Sequence, residues 1–137
     1  MAVGGYNWGD WAFLDYSSET DIDAVAVADA ASLTSDEFSL DNLAACEIGV
    51  TTVEDNTGAC DGDVVIHLLG KGATDWQAYT DDPVQVERID QVQNTTKHAN
   101  FFVSAEGMGS FKVLVYNDCG QEVAVSIKIR TATFDSA

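Results

Sequence analysis

Between Phe101 and Phe134 the chain alternates apolar and polar residues through two long runs, and this alternation narrows the available folds more than any other feature. In Ser110–Tyr116, Phe111, Val113 and Val115 fall on one side and Lys112, Leu114 and Tyr116 on the other. In Glu122–Arg130, Val123, Val125, Ile127 and Ile129 share one face, and Ala124, Ser126, Lys128 and Arg130 share the opposite one. A period of two belongs to a strand with one buried face. Asn117, Asp118 and Gly120, which tolerate positive φ, lie between the runs. The segment is therefore predicted to be a four- to five-residue hairpin loop.

The remaining sequence extends the same reading. Asp21–Asp29 alternates weakly and fits a short strand, although its alanines also allow a helix. Phe38 to Val50 reads as one or two strands broken near Asp41 and Asn42. Val64–Leu69 is apolar without alternation and is bounded by Gly62 and Gly70, as expected of a central strand covered on both sides. Val84–Val92 alternates again after Pro83, Asn94–Lys97 forms a turn, and Phe101–Val103 is a further short strand. Seven to nine short strands and no convincing helix predict an all-β fold, an antiparallel β-sandwich of jelly-roll-like type.

A chain of 137 residues suits one domain, placed at 21–137. Residues 1–20 stand apart. Tyr6, Trp8, Trp11, Phe13 and Tyr16 are five aromatics within eleven residues, and Gly4, Gly5 and Gly9 interrupt any regular element. Such a segment is either a strap on its own domain or an arm that docks elsewhere. Tyr6, Trp8, Trp11 and Phe13 are its candidate partner-binding residues, because aromatic anchors recur in interfaces.

The formal charge of −17 excludes function classes. Nucleic acid and anionic membrane surfaces both require clustered Lys and Arg. Residues 1–70 hold 14 acids and no Lys or Arg, and residues 71–137 hold 9 acids and all 6 bases. The first half therefore faces water or a basic partner. No stretch is apolar enough to span a membrane, and no basic start with an apolar core marks a signal peptide. The expectation is a chain made in the cytoplasm and not exported.

Candidate chemistry is sparse. Cys46, Cys60 and Cys119 lack C-x-x-C spacing and read as free thiols, with a Cys46–Cys60 bridge as the alternative. His67 lies in an apolar strand and reads as a packed face residue, and His98 follows Lys97 in a turn. No nucleophile motif is present. Glu87 and Asp90 form a carboxylate pair of the kind that chance supplies among 23 acids. The loop Asp55–Asp63 offers oxygen donors but misses calcium-loop spacing at Ala59 and Cys60. The sequence thus predicts no catalytic residues, no metal site and no cofactor. Trp76 and Tyr79, beside Asp75, Gln77, Asp81 and Asp82, are candidate sugar-binding residues for an alternative reading as a carbohydrate-binding or adhesion module of a head or tail fibre.

Asn7-Trp8-Gly9, the acidic Glu54-Asp55-Asn56-Thr57, Leu69-Gly70-Lys71-Gly72 and the closing Ser126–Thr133 resemble small β-sandwich virion proteins of tailed bacteriophages, of the head-decoration or cement type. The resemblance implies a non-enzymatic, jelly-roll-like, trimeric subunit. It would sit on the outer surface of the head, with the major capsid protein or another virion protein as partner. The chain lacks the basic N-terminal arm that some such proteins carry.

Overall fold

The computed structural model describes residues 5–55, 60, 62–70, 85–105 and 109–134. These residues contain strands and no helix. The early strands are short: β1 (Tyr6–Trp8), β2 (Ala12–Phe13), β3 (Asp15–Tyr16), β4 (Thr20–Asp21), β5 (Val25–Val27), β6 (Ser32–Thr34) and β7 (Phe38–Ser39). The later ones are long: β8 (Ala45–Val53), β9 (Asp63–Leu69), β10 (Gln85–Asp90), β11 (Thr96–Ser104), β12 (Ser110–Asp118) and β13 (Val123–Phe134). Nine of the thirteen have three residues or more, and the other four are two-residue pairings.

Two large antiparallel sheets result, and β3 and β4 form a separate two-stranded hairpin. In the first, β13 lies between β8 and an interrupted edge made of β1, β2 and β5, and β11 pairs with the far side of β8. In the second the order is β10–β9–β12–β6, with β7 also on β12. With β1, β2 and β5 counted as one strand, β6 and β7 as the next, and the β3–β4 hairpin left aside, the described residues form eight strands. Their orders are 1-8-3-6 and 5-4-7-2. That is the two-sheet jelly roll.

Alternation decides what fills the space between the sheets. Cys46, Ile48, Val50 and Thr52 of β8 point inward, as do Val123, Val125, Ile127 and Ile129 of β13. Val64, Ile66 and Leu68 of β9 and Phe111, Val113 and Val115 of β12 face them from the second sheet. β9 is central as expected, with β10 on one side and β12 on the other.

One expectation fails. β12 and β13 do not pair: β12 bonds to β9, β6 and β7, and β13 to β8 and the interrupted edge. The connection around Gly120 (φ 97°) is an arch from one sheet to the other, not a hairpin. Both arrangements bury one face of each strand, so the alternation is the same in either. Asn117 is not a loop residue either. It is the penultimate residue of β12, and its side chain is completely buried. Its amide donates to the Val27 and Gln121 carbonyl oxygens at 3.0 and 2.6 Å, and its Oδ1 accepts from Cys119 N–H at 3.1 Å. His98, expected in a turn, lies within β11, which is longer than its apolar centre indicated.

The arch presses on the start of β9. A Cβ on Gly62 would lie 2.0 Å from the Asp118 carbonyl oxygen and 3.0 Å from Cys119 Cα. Both are backbone atoms and cannot rotate away. Gly62→Ala is therefore expected to destabilise by about 2–3 kcal/mol through overpacking, seen as a lower midpoint in urea at unchanged slope. A midpoint equal to wild type would show that the arch yields freely.

Cys46, Cys60 and Cys119 are all buried, and no disulfide joins them. Burial pushes the Cys46 thiol up to about 12. A thiol held neutral in the folded state favours folding below the unfolded value of 9.0, and this contribution is lost as pH rises toward 12.

Candidate binding face

The outer face of the first sheet is a grid fixed by register. Across β13, β8 and β11 run the rows Ser126–Thr51–His98, Lys128–Gly49–Asn100, Arg130–Glu47–Phe102 and Ala132–Ala45–Ser104. The edge strands add Phe13 beside Lys128, Trp8 beside Ala132 and Tyr6 beside Phe134.

Within the segment 1–20, expected to form an arm or strap, residues 6–14 are hydrogen-bonded along β13 through β1, Gly9, β2 and Leu14. Leu14 is part of the core. Tyr6, Trp8, Trp11 and Phe13, the candidate partner-binding residues, lie together on this one outer face. Tyr16 does not join them. It sits in the β3–β4 hairpin and packs against the core. That hairpin is strained, with positive φ at Ser17, Ser18 and Glu19. It also carries clustered carboxylates: burial first, then Asp21, Asp36 and Glu19, raise the Asp15 carboxyl above its ordinary value.

At one end of the face an aromatic mat forms. Tyr6 stacks on Phe102 at 5.9 Å, meets Trp8 edge-on at 5.9 Å and approaches Phe134 at 6.0 Å. Trp8 meets Phe102 at 6.3 Å. The small Ala45 and Ala132 in the row beside them are completely covered. Even so, Tyr6 is 43%, Phe102 46% and Phe134 62% exposed. Aromatic area of this kind, contiguous and half-open, is typical of interaction surfaces.

Arg130 anchors the middle. Its guanidinium lies 4.6 Å from the Trp8 ring centre and 5.3 Å from that of Trp11. Its Nε and a terminal nitrogen each lie 3.1 Å from Glu47 Oε1. Two indoles flanking a paired cation hold both rings in place.

Beyond Arg130 the face becomes polar. Trp11 crosses β13, and its ring edge meets Gly49 in the middle of β8, where a Cβ would stand 3.5 Å from Cζ3 and 3.0 Å from Asn100 Oδ1. A groove of about 340 Å³ opens there, lined by Trp11, Gly49, Thr51, Ser126 and Lys128. Sequence reasoning missed Gly49, Phe102, Phe134 and Arg130 as members of this face. An isolated glycine inside a strand pattern, a sign of close approach, was the available signal.

The other candidates are dispersed. His98 shares a hydrogen with Thr51 Oγ1 at 3.1 Å on this face. His67 lies on the outer face of the second sheet, where burial and Arg88 lower its pKa. Glu87 and Asp90 point to opposite faces of β10, as the strand's alternation requires. No group of three metal-ligating side chains occurs among the described residues. Trp76, Tyr79 and most of the acidic 55–63 loop lie outside the described residues.

No protein-family model matches the chain, and no curated protein matches it. Among solved structures it is similar to tripeptidyl peptidase 2, with 9% identity, 88% of this chain covered and a TM-score of 0.54. The chain spans about a tenth of that protein's length, covering 10% of it. The likeness is one of fold. Looser matches are the SPBc2 prophage-derived protein YomS (9% identity, 97% of each chain, TM-score 0.45) and the VP2 subviral particle of infectious bursal disease virus (11% identity, 95% of this chain and 33% of that one, TM-score 0.46).

Proposed function

We propose that this chain is a non-enzymatic virion structural protein of a tailed bacteriophage, a decoration protein that seats on the outer surface of the head and stabilises it. The observation that carries the reading is the aromatic mat of Tyr6, Trp8, Phe102 and Phe134, exposed on a rigid jelly-roll sheet and braced by Arg130. A decoration protein needs a stiff body, an adhesive face and self-association about a symmetry axis. The net charge of −17 suits an outer surface and would oppose contact with packaged DNA. The major capsid protein is the proposed partner and the trimer the proposed state, as the sequence resemblance implies.

Deleting residues 1–17 is a poor test, because it removes the edge of the first sheet together with Leu14 of the core. Single substitutions separate adhesion from folding. Trp8→Ala is expected to weaken binding to undecorated heads by more than tenfold, in line with an interface anchor of about 2 kcal/mol. Tyr16→Ala, on the hairpin, is expected to lower the melting temperature and leave affinity unchanged. Equal binding by wild type and Trp8→Ala in a co-sedimentation assay would exclude the mat as the contact. A monomeric mass at micromolar concentration would exclude the trimer.

A further inference from the structure

The polar half of the same face is separated from the mat by the Arg130–Glu47 pair, and it has a chemistry of its own. Its wall is Trp11, 41% exposed, with one ring edge on Gly49 and the remainder facing the groove. Gly49 leaves an open floor where any side chain would meet Asn100 and the indole. Ser126 Oγ already accepts the Ala24 N–H at 2.8 Å, so its own proton is left to donate. Thr51 is held by His98. Lys128 makes no ion pair among the described residues and rests 4.9 Å from the Phe13 ring centre. The volume, about 340 Å³, lies near the lower end of small-ligand pockets at roughly 300–1,000 Å³.

An aromatic plane beside hydroxyl, carboxamide and ammonium groups matches a sugar ring. The ring presents C–H bonds to the indole and hydroxyls, both donors and acceptors, to the polar side chains. Charge decides between neutral and acidic sugars. A chain with 23 acids and 6 bases repels anions at long range, and the single ammonium at the groove does not reverse that balance. We infer that the groove beside Trp11 is a binding site for neutral saccharides, with one pyranose ring stacked on the Trp11 indole and its hydroxyls bonded to Asn100, Ser126 and Lys128. This site is distinct from the mat and does not depend on attachment to a head.

The test is titration calorimetry and tryptophan quenching of the full chain with neutral glucose-, galactose- and mannose-based oligosaccharides. Sialylated and uronic-acid glycans form the counter-panel. Binding of at least one neutral oligosaccharide is expected, weakened tenfold or more in Trp11→Ala and severalfold in Asn100→Ala and Lys128→Gln, and unchanged in Tyr6→Ala. Melting curves check each variant. Should Trp11→Ala not fold, Asn100→Ala and Lys128→Gln, both exchanges on the open face, carry the test. The inference is overturned by absence of binding at millimolar neutral saccharide, by preference for the acidic panel, or by affinity unaffected in the groove variants.

Discussion

Ile127→Asp is expected to leave no cooperatively folded protein. Ile127 is completely buried at the centre of β13, opposite Val50 of β8. Its own backbone is bonded on the other side to Leu14 and Ile22 of the interrupted edge. A carboxylate there would enter an apolar layer between two sheets, and among the described residues no buried cation faces it. Burying such a group, ionised or forced to protonate, together with losing the isoleucine's packing, costs an amount comparable to the roughly 5–15 kcal/mol by which a domain is stable. The neighbouring Lys128 points to the outer face, and Lys128→Gln is expected to melt within a few degrees of wild type. Circular dichroism and size-exclusion chromatography on the two variants read the contrast. A soluble Ile127→Asp with a sharp melting transition would overturn the assignment of inner and outer faces along β13.

Asn117→Ala is the second large effect. This side chain ties the arch to a distant strand: it bonds the Val27 carbonyl at the end of β5 and, within the arch itself, the Gln121 carbonyl and the Cys119 N–H. Alanine removes all three bonds at a site with no solvent access. Each stranded backbone group costs about 1–3 kcal/mol, so the melting temperature should fall by on the order of 10 °C or more. Asn117→Asp keeps the acceptor for Cys119 N–H but turns the donor into an acceptor facing two carbonyls. It should be no better than alanine. If Asn117→Ala melted within 2 °C or so of wild type, the arch would not depend on this side chain.

Asn117 also shows where sequence reading stops. Asn next to Asp-Cys-Gly is the composition of a tight turn, and a turn does follow. Local chemistry marks the reversal of direction but not the partner on the other side of it. Whether two successive strands pair edge to edge or face each other across a core depends on which other strands claim their edges. β9 claims one edge of β12, and β8 claims one edge of β13. Those claims come from residues 45–69, far from the turn. The aromatic N-terminus repeats the lesson. Five aromatics and three glycines identify an unusual segment, yet only pairing with β13 lays Tyr6 on Phe134 and sends Trp11 across to Gly49. Phe102 and Phe134 each look unremarkable within their own strands.

The sequence by itself determined the all-β class and the inward faces of β12 and β13. It also determined the central position of β9 and the acidity of the surface, because each follows from local periodicity, β-branched content or a count of charges. Only the tertiary structure decided the jelly-roll order, the arch in place of a hairpin and the assembly of one face from residues as distant as Tyr6, Gly49, Phe102 and Arg130. Strand registry is a long-range property: hydrogen bonds between backbones are chemically alike everywhere, and the choice among pairings is made by how all the buried faces fit at once.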